Sequence, residues 1–163
     1  MSTTALTFPV GYHPFHKEQL YNFQLNRWYS LGYARFEDME AAGKKIQTFD
    51  EWKPVMIQLA EKAVLEDRLL NAAFLYRAAE FYTLPKDPDK EPLYDRFIEQ
   101  FYKVFQHDGI ERITIPYMDR FLPAIKVPAA PGNKKGTIVI HGGFDSFIEE
   151  FYSWMRYLSD NGY

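Results

Sequence analysis

The sequence has no cysteine. That excludes a disulfide framework, a thiolate nucleophile and any zinc site built on sulfur. Long apolar runs are missing too: none approaches the roughly 18 uncharged residues that a membrane-spanning helix needs. The first ten residues carry neither a basic stretch nor an apolar core of signal-peptide length, so no secretory leader is expected. There is no dense Lys/Arg run and the net charge is −3, which argues against a nucleic-acid partner, because phosphate binding needs a basic stripe. Histidine is scarce, and His13 and His16 have no evident third ligand, so no metal site is expected. The expectation is a soluble, cytoplasmic protein with no membrane contact.

What is present is apolar and aromatic. With 47% hydrophobic and 18% aromatic residues among 163, the chain can bury a large core. Residues 16–31 read as an amphipathic helix with Leu20, Phe23, Trp28 and Leu31 near helical spacing, and Gly32 as its stop. A short helix is expected over 35–45. Thr48 or Asp50 then caps a long stretch, 50–83, rich in Ala, Leu, Glu and Arg, with Glu51 in its first turn and Pro54 as its single proline. Its length predicts two helices meeting near residues 65–67. In the second, Leu69, Ala72, Ala73, Tyr76 and Ala79 form a face of mostly small residues. This part is similar to a tetratricopeptide unit, but no second copy follows at the roughly 34-residue period, so plain α-hairpin packing is the reading. Three prolines make 84–92 a loop. Residues 93–106 form another helix, with Phe97, Phe101, Tyr102 and Phe105 inward and Gly109 after it.

At Gly109 the pattern changes. Residues 110–116 and 121–127 are alternating or β-branched and read as an antiparallel pair, with Pro123 marking an edge or a bulge. After a Pro/Gly/Lys loop, residues 137–140 (Thr-Ile-Val-Ile) are a short apolar run of the kind that sheets bury on both faces. His141-Gly-Gly-Phe-Asp-Ser146 follows, and Ser146 with Glu149 fits a capping box for a helix over 147–159. Phe147, Phe151, Trp154, Met155 and Leu158 are its expected inward side, and Asn161-Gly162 its stop. A helical domain over 1–108 and a second domain over 109–163 are therefore expected.

A buried strand running into a His-Gly-Gly turn and then a helix N-terminus has a chemical use. Glycines let the backbone turn tightly and come close to a ligand. Amides at such a turn can stabilise an oxyanion on a carbonyl under attack, worth roughly 3–4 kcal/mol for a good donor. The segment from Gly136 to Glu150, with its His141-Gly142-Gly143-Phe144 turn, resembles the third-strand segment of serine α/β-hydrolases with an N-terminal helical cap. This is the group of 2,6-dihydroxypseudooxynicotine hydrolase and the fermentation–respiration switch protein. The order of helices, hairpin and glycine turn fits the same group over nearly the whole chain.

The resemblance implies an α/β fold: a helical cap, then the first strands and first helix of an incomplete hydrolase sheet. It implies oxyanion-hole amides at Gly143 and Phe144, with His141, Asp145 and Glu149 at or beside the substrate mouth. His141 precedes the place of the nucleophile and is read as structural rather than as a triad base. No Gly-x-Ser-x-Gly elbow occurs, and none of the serines at 2, 30, 146, 153 and 159 has that context. The expected function is the N-terminal portion of a serine hydrolase, ending before the elbow and inactive alone. Its substrate would be a small acyl or carbonyl compound carrying an ester, an amide or an activated C–C bond, and no cofactor is needed. A non-catalytic helical binding module derived from a hydrolase is the alternative. Alone, the chain is expected to fray after Gly136 or to self-associate as a homo-oligomer, unless the missing C-terminal part complements it.

Overall fold

The computed structural model describes residues 6–132 and 134–163. They fall into two compact units, Leu6–Val104 and Phe105–Tyr163. No helix among them is long and apolar enough to cross a membrane.

The first unit is all helix: α1 (Gln19–Ser30), α2 (Phe36–Lys45), α3 (Phe49–Leu65), α4 (Leu69–Phe81) and α5 (Lys90–Val104). The start of α3 follows its cap chemistry. The Glu51 carboxylate accepts from the Gln47 and Thr48 amides at 2.7 and 2.9 Å, and these bonds hold its pKa below the usual carboxylate value. The long helical stretch breaks at Asp67, which takes a left-handed φ of 56°. From Ala72 to Glu80 every residue of α4 is buried, so this helix has no outward face and is the axis of the unit. Trp28, Tyr33, Trp52, Phe97 and Phe101 are buried in the same core.

The inward face of α1 differs from the sequence expectation. Leu20 and Phe23 are exposed, whereas Tyr21, Leu25 and Trp28 are buried together with Asn22, Gln24 and Asn26. The amides have a job. Asn26 accepts from the His13 backbone N–H at 2.8 Å and donates to the His13 carbonyl, while Asn22 accepts from the His16 N–H at 2.9 Å. They fasten the incoming chain to the helix, so of the apolar residues at helical spacing Trp28 faces inward while Leu20 and Phe23 do not. Gly43 completes this seam: a Cβ there would lie 1.9 Å from the Phe15 carbonyl oxygen.

The second unit holds a hairpin, β1 (Glu111–Tyr117) and β2 (Arg120–Lys126), antiparallel with Ile115 opposite Leu122 and Thr114 opposite Pro123. Its tight turn takes a positive φ, 51°, at Met118. A 3₁₀ turn (Ile148–Phe151) leads into α6 (Tyr152–Asp160).

These elements overturn the expected α/β class. The described residues form six α-helices and one two-stranded antiparallel sheet, with no parallel sheet and no incomplete hydrolase sheet. Residues 137–140 belong to no ladder, and Ile138 and Val139 are exposed, not buried on two faces. An apolar run becomes a strand only when neighbouring strands take up its backbone donors and acceptors, and none does so here. The final helix is corrected as well. The Phe147 amide donates to the Glu150 carboxylate at 3.1 Å, a reach-back one residue later than the expected one. The first turn is therefore 3₁₀ and the helix is rotated. Tyr152, Ser153 and Ser159 are buried, and Trp154 is exposed.

Candidate functional site

The candidate site is the turn at His141–Phe144 in the second unit. Gly142 sits where the turn folds against the 3₁₀ segment: a Cβ built on it would meet the Phe151 ring and the Ser146 Cβ, both at 2.8 Å. Only glycine fits without displacing one of them. Gly143 differs, since its nearest neighbour would be the Asp145 carboxylate at 3.8 Å. The Gly143 carbonyl accepts from the Ser146 amide at 3.4 Å, which closes the turn. The amides of Gly143 and Phe144 donate to nothing among the described residues. Phe144 projects fully into solvent. The turn thus presents two free backbone donors beside an exposed aromatic ring.

The other expected residues are placed unevenly around it. The His141 Nδ1–H donates to the Gly142 carbonyl at 3.1 Å, which fixes the ring over its own turn. Asp145 is exposed at the turn, whereas Glu149 is only 4% exposed within the 3₁₀ segment. No group of three or more His, Asp or Glu side chains among the described residues is arranged to hold a metal ion.

Sequence reasoning missed the cluster that anchors α6. The Tyr152 hydroxyl donates to the Asp108 carboxylate, and Arg156 approaches the same oxygen at 3.5 Å. Burial first, and then the bond to Asp108, push the Tyr152 pKa far above the ordinary tyrosine value. The Phe105 ring packs on Tyr152 at 4.4 Å between centroids. The partners are separated by more than forty residues, so no local pattern marks them. No protein-family model matches the chain, and no curated protein matches it.

Proposed function

We propose that these residues form the helical cap and oxyanion-hole turn of a cytoplasmic serine hydrolase. It would act on a small acyl or carbonyl substrate through an ester, an amide or an activated C–C bond next to a carbonyl. One observation carries the reading: a glycine-dependent turn with two unpartnered amides, at Gly143 and Phe144, ahead of a helix. Donors already fixed in place are what an oxyanion needs, because they cost no reorganisation as charge develops. The reading rests on this turn and on no sheet. The nucleophile, acid and base are not supplied by these 163 residues, which contain no Gly-x-Ser-x-Gly.

A non-catalytic helical binding module is the second reading. It is favoured by the helical unit Leu6–Val104, which has a closed aromatic core of its own. One experiment separates the two. The codons flanking this sequence in its gene are read for a Gly-x-Ser-x-Gly segment, and the polypeptide carrying both is assayed on short acyl esters. Turnover blocked by a fluorophosphonate, and lowered about 100-fold or more by Gly143→Pro, supports the hydrolase. Absence of that segment, or activity indifferent to Gly143→Pro, leaves the binding module.

A further inference from the structure

The second unit contains a half-open apolar cleft of about 530 Å³. One wall is the end of β2, from Ala124 to Lys126, continuing into residues 127–132. No β1 residue reaches the cleft, so it runs along the edge of β2 that the hairpin leaves free. The opposite wall is residues 136–140, and Met155 and Leu158 of α6 contribute the apolar floor. The walls are held apart by bonds to the end of α6. The Ala130 amide donates to the Ser159 carbonyl at 3.0 Å, the Ser159 hydroxyl to the Pro128 carbonyl at 2.6 Å, and the Lys135 amide to the Gly162 carbonyl at 2.7 Å. Between those anchors, residues 136–140 make no backbone hydrogen bond among the described residues.

We infer that this cleft binds an extended polypeptide strand from a partner, which pairs with the free edge of β2 and with residues 136–140. The backbone decides the class of occupant. A hydrocarbon chain would fill the volume but leave the donors and acceptors of both walls unmet, whereas a strand meets them by main-chain pairing. Charge sets the rest. The charged side chains lining the cleft are Lys126 and Lys134, with no carboxylate among them. Lys126 is already paired with Glu111 at 2.9 Å, and Lys134 has no ion pair among the described residues. The partner strand therefore carries apolar side chains and a carboxylate at the end that meets Lys134. This inference is independent of the hydrolase reading.

The test titrates the full chain with two synthetic peptides, Ac-Val-Thr-Val-Thr-Val-Asp-NH2 and its counterpart ending in Lys, and with dodecanoate. Binding and amide hydrogen exchange are read together. The acidic peptide is expected to bind at least tenfold tighter than the lysine peptide and to slow exchange at Ile125 and within residues 138–140. Lys134→Glu, an exposed substitution whose fold is checked by circular dichroism, is expected to reverse the preference. Equal affinities, an order unchanged by Lys134→Glu, or absence of amide protection overturns the inference. Dodecanoate binding that excludes the peptides also overturns it, and marks the cleft as a hydrocarbon site.

Discussion

Tyr33 lies flat against Phe74, with ring centroids 3.6 Å apart and planes within 2° of parallel. The pair joins the segment after α1 to the middle of α4, and both rings are buried. Phe74 also meets Trp28, Phe97 and Phe101 edge-on or tilted, so one side chain touches three other parts of the helical unit. Phe74→Ala should cost about 3–5 kcal/mol, through lost transfer energy and a cavity that rigid rings cannot close. Urea denaturation followed by far-UV circular dichroism measures it. A loss under about 1 kcal/mol would mean that this cluster is not the centre of the core.

How much of this was legible in the sequence depended on where the partners lay. The start of α3, the break at Asp67 and the hairpin are local, and local chemistry exposed them. It left the cap open between Thr48 and Asp50, of which Thr48 is the one used. The inward face of α1 was legible only in part because asparagines, not apolar residues, hold the rest of it. Residues 137–140 have strand composition, but a strand is a relation to a neighbour and composition carries no neighbour. At the candidate site the glycines were visible. The reason for Gly142, its contact with Phe151 nine residues on, was not.

A buried ion group gives the next prediction. Arg77 and Glu80 pair on α4, each 3% exposed at the side chain, and Lys90 from α5 joins the same carboxylate. The Arg77 guanidinium also lies over the rings of Trp28 and Phe81 at 5.7 and 5.1 Å. Arg77→Met removes one of the two cations on Glu80 and the contacts with both rings, while Lys90 still pairs the carboxylate, so it should cost about 1–3 kcal/mol. Changing both, Arg77→Met with Glu80→Met, should recover part of that loss. A double-mutant cycle in urea is the measurement, and strictly additive losses would show that the pair is not coupled.

Tyr152 gives the pH dependence of the second unit. Its hydroxyl stays protonated in the folded chain well above the ordinary tyrosine pKa of 10.0, because of burial and the bond to Asp108. Its contribution is therefore complete below about pH 10. Above that, the unfolded chain releases a proton that the folded chain keeps, and stability falls by at most about 1.4 kcal/mol per pH unit. Hydrogen exchange of the α6 amides between pH 8 and 11, compared with Tyr152→Phe, isolates the effect. The variant should start less stable, since Asp108 loses its donor, and should show a shallower alkaline decline. Parallel declines would remove Tyr152 as the cause.

The two glycines of the candidate turn should respond oppositely to one added methyl group. At Gly142 a Cβ would meet the Phe151 ring and the Ser146 Cβ at 2.8 Å, and the second contact is fixed close to the backbone. Relief requires the turn to open, at about 1–3 kcal/mol for an overpacked contact. At Gly143 the nearest atom is a carboxylate oxygen at 3.8 Å, and its φ lies outside the left-handed region. Alanine fits there and restricts the unfolded chain, so Gly143→Ala should be neutral or slightly stabilising. Amide exchange at Ser146, whose N–H closes the turn on the Gly143 carbonyl, reports the difference directly. Gly142→Ala should accelerate that exchange by roughly 5-fold to 150-fold, the equivalent of the same 1–3 kcal/mol, and Gly143→Ala should leave it nearly unchanged. Equal effects at both positions would mean that the turn is not held by the Gly142 contact, and the two free amides would lose their claim to be fixed in place.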